Sequence, residues 1–233
     1  MTENGKEEIE SWSQLKDRMP RIDVIPCCVD LELFDPSSID EAKQNALKNS
    51  LEIHNDQFVL GYVGSIGTWY MLPEMLAYFK ELKNRTENAV FLFVTKEPKE
   101  EIFAEAMKLG ISEDSLRITS SLHSEIPLHI SIFDQSVFFI RSTYSKKASS
   151  PTKQGEIMAM GVPIVCNAGV GDTDRIIRDH QAGAVIENFG PENYREAIEP
   201  NWNQEATTQG ALKVYSLEEG VKKYHAIYQY IHG

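Results

Sequence analysis

Residues 58–96 read FVLGYVGSIGTWYMLPEMLAYFKELKNRTENAVFLFVTK and contain one complete strand–helix–strand unit. Phe58–Val63 is apolar at nearly every position, the pattern of a strand covered on both faces rather than on one. It runs into the glycine-bearing turn Gly64–Tyr70. Leu72, Met75, Leu76, Phe79 and Leu82 then recur at spacings of three and four, which predicts a helix over Met71–Lys83. A second continuous apolar run, Ala89–Lys96, is again a strand. Two buried strands joined through a helix pair in parallel, and the crossover is right-handed.

The alternation continues downstream. A helix over Lys99–Leu109 stops at Gly110. Strands are expected within 116–122, 135–142, 162–169 and 182–188, with helices at 126–134, Thr152–Met160, Asp172–His180 and from Pro191. Ser216 and Glu219 form a capping-box pattern ahead of a last helix that carries Leu217, Val221, Tyr224 and Tyr228. Upstream, Glu7–Lys16 reads as a short amphipathic helix, and Asp23–Ile25 as a short strand stopped by Pro26. Ser37 or Ser38 is placed to cap a helix running to Leu51. Six buried strands separated by helices predict an α/β fold, a doubly wound parallel sheet of the Rossmann-like kind.

Composition narrows the function classes. The chain has 233 residues and 42% hydrophobic content, enough for one sizeable core. Its net charge of -12 argues against general nucleic-acid binding, which needs a positive field. Cys27 and Cys28 are adjacent and Cys166 stands alone. None has metal-ligand spacing, so no metal is expected, and free thiols point to a reducing, cytoplasmic setting. There is no apolar run of membrane-spanning length and no signal-like leader.

In a doubly wound sheet, ligands bind at the carboxyl edge of the strands. The loops there are 64–70, 96–100, 120–126, 141–152, 167–172 and 188–191. GSIGTWY, the first, is neither a GxGxxG nor a P-loop pattern, so dinucleotides and simple nucleoside triphosphates lose support. Its glycines would let a backbone approach a phosphate, or serve only a tight turn. In the fourth loop, Arg141, Lys146, Lys147 and Lys153 cluster in an acidic chain, and Ser150 and Pro151 suit the cap and first turn of a helix. Lys153 in a first turn opposes the helix dipole unless an anion compensates it. Glu156, one turn further in, is placed to accept hydrogen bonds from sugar hydroxyls, or simply to favour the dipole. His123, on the third loop, reads as a surface residue.

These motifs resemble the C-terminal, donor-binding half of GT-B glycosyltransferases, the group 1 (GT4-like) transferases in particular. VIPCCVDLELF (24–34) resembles their interdomain segment, and LGYVGSIGTWYMLPEML (60–76) their first strand and loop. SKKASSPTKQGEIMAMGVPIVCN (145–167) resembles their glutamate-bearing signature, and YSLEEGVKKYHAIYQYI (215–231) their terminal crossover helix. The resemblance implies a linker helix and strand over 1–35, a nucleotide-sugar-binding domain over 36–215 and the crossover helix over 216–233. It implies a truncated chain, with the acceptor-binding N-terminal domain outside it.

For the site, the resemblance implies that Glu156 holds the ribose. Thr152 and Lys153 would meet the diphosphate at the helix start, and Gly64, Ser65 and Gly67 would approach it from the first loop. Lys146, Lys147 or Lys153 would supply charge that two absent basic residues give elsewhere in the family. Ala148 stands where the first glutamate of an E-x7-E pattern is expected, and CC replaces the interdomain NG. The implied reaction is retaining transfer from a nucleoside-diphosphate sugar, for glycan or cell-surface polysaccharide synthesis, with no cofactor and no assigned catalytic residue. The acceptor, glycan or lipid-linked, would bind through the other domain, with peripheral membrane association of the full-length protein. The alternatives are a nucleotide-sugar 2-epimerase of the same fold and a non-catalytic nucleotide-binding domain.

Overall fold

The computed structural model describes residues 2–15, 18–200 and 202–232. At its centre, β1 (Val59–Val63), β2 (Val90–Val94), β3 (Leu116–Thr119), β4 (Gln135–Phe138), β5 (Ile164–Asn167) and β6 (Gly183–Ile186) form one sheet. The order is β3-β2-β1-β4-β5-β6 and every pairing is parallel. β1, β2, β4 and β5 are buried almost throughout, so their unbroken apolar runs follow from having helices on both faces. Strand order reverses between β1 and β4. The loops leaving those two strands therefore diverge, and a crevice opens between them.

The helices cover the sheet as the apolar periodicity predicts. α3 (Leu72–Arg85) buries Leu72, Met75, Leu76, Phe79 and Leu82. α4 (Lys99–Lys108), α6 (Thr152–Ala159), α7 (Thr173–Asp179) and α8 (Pro191–Ala197) fall within two residues or so of the segments expected for them, whereas α5 (Ile126–Ile130) ends four residues short of its expected end. Four local expectations fail. Asp23–Ile25 joins no sheet, and the nearest pairing is a single bridge between Val29 and Ser216. The helix expected after Ser37 begins later: Asp35 caps a 3-10 turn over Pro36–Ser38, and Asp40 caps α2 (Glu41–Ser50) through the amides of Ala42 and Lys43. The amphipathic segment near the start is α1 (Glu3–Glu10), followed by a 3-10 turn at Ser13–Leu15; Lys16, expected to end it, lies outside the described residues.

The fourth difference is α9 (Gln204–Tyr215), which was not expected from sequence. It lies against α6, where Gly155 lets Tyr215 approach: a Cβ on Gly155 would stand 2.7 Å from both the Tyr215 ring and Val29. α10 (Leu217–His232) completes the described chain. Cys28 packs its sulfur against Gly220 of α10, and the Cys27 amide donates to Ser150, so the CC pair ties the linker to both α10 and the loop before α6.

Candidate functional site

The crevice between β1 and β4 brings together Gly64, Lys153 and Glu156. α6 starts at the crevice mouth, and its first two turns carry Lys153 and Glu156, which are 9% and 8% exposed. A lysine buried to that degree requires compensation. Among the described residues, Lys153 finds aromatic faces and a hydroxyl. Its Nζ lies 3.8 Å from the Tyr70 ring centroid, 4.4 Å from that of Tyr62, and donates to the Tyr62 hydroxyl at 3.2 Å. Desolvation in this cage pulls the Lys153 ammonium down to about 7, and the charge of Glu156 opposes the shift.

Gly64 is what makes room. Its φ is +120°, and a Cβ there would meet the Lys153 Nζ at 2.8 Å. Tyr62 holds the turn by donating to the Ser65 carbonyl. The Ser65 hydroxyl donates to Glu97 of the second loop at 2.6 Å and accepts from the Gly67 amide at 3.2 Å. Glu156 faces the third loop instead, where its Oε1 meets His123 Nε2 at 3.0 Å. The edge of the Phe34 ring packs on the same imidazole.

Two cavities flank the buried lysine. One, of 410 Å³, lies over the ends of β1 and β2 and is lined by Gly64, Ser65, Thr95, Glu97, Ser121 and His123, among others. The other, of 160 Å³, is lined by Trp69, Tyr70, Lys146, Ser149, Ser150 and Pro151, with Ile140 at its floor. Lys146 sits over the Trp69 ring at 4.3 Å. Thr152 is exposed at the start of α6. The six residues expected at a diphosphate thus share one sheet edge; Gly64 meets Lys153 across two loops, and Ser65 meets Gly67 within one.

A family model for group 1 glycosyl transferases matches residues 43–210, most of the chain. The chain belongs to this family. No curated protein matches it. Among solved structures, this glycosyl transferase chain is similar to a glycosyltransferase from Rickettsia africae, with a TM-score of 0.78 at 16% identity, covering 99% of this chain and 62% of that one. It is similar to WaaG, a glycosyltransferase involved in lipopolysaccharide biosynthesis, with a TM-score of 0.68 at 15% identity over 92% and 56% of the two chains. Anabaena HepE in complex with UDP-glucose gives 0.67 at 14% identity over 88% and 56%. At such identities the likeness is one of GT-B fold. The chain spans roughly three-fifths of the length of these structures.

Within this transferase fold, α1 contacts two residues of the signature loop. Lys147 pairs with Glu8 at 2.7 Å and Tyr144 donates to the same carboxylate, so Lys147 serves α1 rather than the crevice. Ala148 lies against Gly5, where a Cβ added to Gly5 would be 3.0 Å from the Ala148 Cβ. Asp172, at the N-cap position of α7, makes no side-chain cap bond and accepts from the amides of Glu3 and Asn4 at the start of α1. Ser150 does not cap α6, whose N-cap position is Pro151. Sequence reasoning missed Tyr62, Tyr70 and His123. The two tyrosines read as strand and turn aromatics, and nothing in the local sequence ties His123 to a carboxylate 33 residues away.

Proposed function

We propose that this chain is the donor-binding domain of a retaining glycosyl transferase, which moves a sugar from a nucleoside diphosphate to a glycan or lipid-linked acceptor. The observation that carries this reading is the buried Lys153 ammonium against Gly64, at the crevice mouth and beside two cavities. An isolated buried cation is costly, and an arriving diphosphate would supply the missing counter-charge. The nucleoside would occupy the 410 Å³ cavity, with the ribose hydroxyls on Glu156, and the sugar would extend towards Trp69, Tyr70 and Lys146.

In this reading the domain lowers the barrier by stabilising the leaving group. As the glycosidic bond breaks, negative charge grows on the diphosphate. Lys153 and the positive end of α6 would face that charge. Ser65 would first have to leave Glu97 to reach the same phosphates. The acceptor would be held by a further domain, which the open apolar side of α10 suits: Leu217, Val221, Tyr224 and Tyr228 are all exposed. The HepE complexes with UDP and UDP-glucose favour a uridine donor as the first to try. A thermal-shift screen of UDP, GDP and their sugars tests the assignment: at least one should raise the melting temperature. A flat response across the panel would remove it.

A further inference from the structure

Lys153 and Glu156 stand three residues apart on α6, a spacing at which opposite charges on a helix are neighbours and tend to pair. They do not pair here. The Lys153 ammonium is held between the Tyr62 and Tyr70 rings, and the Glu156 carboxylate is held by His123. Nothing within α6 imposes that separation. β1 and its loop supply the two rings, and the third loop supplies the imidazole.

The imidazole is set in place by its own loop. His123 opens a 3-10 turn, His123–Glu125, directly ahead of α5. The Glu125 carboxylate accepts from the Ser121 hydroxyl at 3.2 Å and from the Leu122 amide at 3.4 Å, and the Glu125 amide donates to the Leu122 carbonyl at 2.9 Å. The buried Phe34 ring backs the imidazole, with 5.6 Å between centroids.

The contact divides the two oxygens of Glu156. An ionised carboxylate only accepts, so His123 Nε2 carries the proton and donates it to Oε1, a charge-assisted bond. Among the described residues, the buried side-chain oxygens without a partner are on Gln154 and Thr173. Glu156 Oε2 has no partner there either, and is therefore open to solvent. His123 is itself part of the wall of the 410 Å³ cavity, beside Gly64 and Ser65, so the carboxylate it holds stands at the edge of that cavity.

We propose that His123 is a positioning residue for the donor: by fixing Oε1 it keeps Glu156 off Lys153, which leaves Oε2 to accept from a ribose hydroxyl and the ammonium to meet the diphosphate. Resting on the donor-domain reading above, this role makes His123 a determinant of specificity for ribose over deoxyribose, because a site built to bond a hydroxyl rejects the analogue that lacks it. Without the imidazole, the carboxylate is free to turn to Lys153. The ribose then loses its acceptor, and the diphosphate meets an ammonium that is already paired.

Calorimetric titration of the 233-residue chain with UDP, GDP and their 2′-deoxy and 3′-deoxy forms tests this. The wild type should bind one of the two ribonucleotides at least tenfold more tightly than one of its deoxy forms. In His123→Ala that ratio should fall below threefold. His123→Gln keeps an N–H donor near the Nε2 position and should bring the ratio back to within threefold of wild type. Lys153→Met should weaken the ribo and deoxy forms together and leave the ratio in place, which separates lost ribose recognition from general damage to the site. Binding of neither ribonucleotide would remove the donor reading and the role of His123 with it. Binding of a ribonucleotide with no preference over its deoxy forms, a wild-type ratio in His123→Ala, or a His123→Gln variant that behaves like His123→Ala would overturn the role of His123 alone.

Discussion

Lys153 concentrates the chemistry of this domain in one residue. Its ammonium is buried against two tyrosine rings, with Glu156 as the charge that favours it. A lysine whose pKa falls from 10.5 to about 7 on folding costs stability. The cost is present in full below pH 7 and is relieved as pH rises towards 10.5, because only the unfolded chain then stays protonated. Lys153→Met should therefore stabilise the fold by about 1–2 kcal/mol, while weakening UDP binding at least tenfold. Thermal denaturation and titration of the same sample would show the two effects together. Protonation also couples to the ligand. A diphosphate restores the ammonium, so UDP binding at pH 8 should take up most of one proton, and affinity should fall as pH rises above 7. Titration in buffers of different ionisation enthalpy measures that uptake. The unusual charge at the helix mouth made Lys153 legible in the sequence, since it sets a side chain against the dipole of its own helix. Its aromatic cage was not legible, because Tyr62 and Tyr70 have the apolar character of any strand end.

At the scale of elements, the six strands and the helices between them could be read from periodicity, because burial on both faces leaves no room for polar alternation. What escaped were segments fixed by distant partners. α9 carries Thr207, Thr208 and Gly210 in its interior, residues that disfavour a helix read from sequence alone. Its place is set by packing on α6 and by Gly210, whose absent side chain admits the His180 ring. The polar groups of the signature loop were likewise claimed from afar: Ser150 by Cys27, Lys147 by Glu8, Asp172 by the first amides of α1. α1 thus acts as a cover over residues 147–148 and 171–172, with Gly5 against Ala148. Gly5→Val would force the two apart. Amide hydrogen exchange over residues 3–10 should lose protection in this variant while β1, β2 and β4 keep theirs; unchanged protection would show that α1 docks by other contacts.

Across the whole molecule, a parallel sheet with one order reversal places every candidate residue at a single edge, which is why topology alone could propose Gly64, Lys153 and Glu156 together. Contacts within that edge were less legible. Lys146 lies on Trp69, and Ser65 faces Glu97, contacts between neighbouring loops that no local pattern specifies. The chain spans about three-fifths of the solved glycosyltransferases it resembles, and α10 ends with an uncovered apolar side. On the proposed reading, these 233 residues bind donor yet transfer no sugar to a soluble acceptor; turnover by this chain alone would contradict the division of labour. The central claim, a diphosphate held at Lys153, is tested most directly by calorimetric titration of UDP and GDP into the chain and its Lys153→Met variant. Saturable one-to-one binding of at least one nucleotide, weakened at least tenfold in the variant, is the predicted result. Binding of neither, or equal affinity in both proteins, would contradict it.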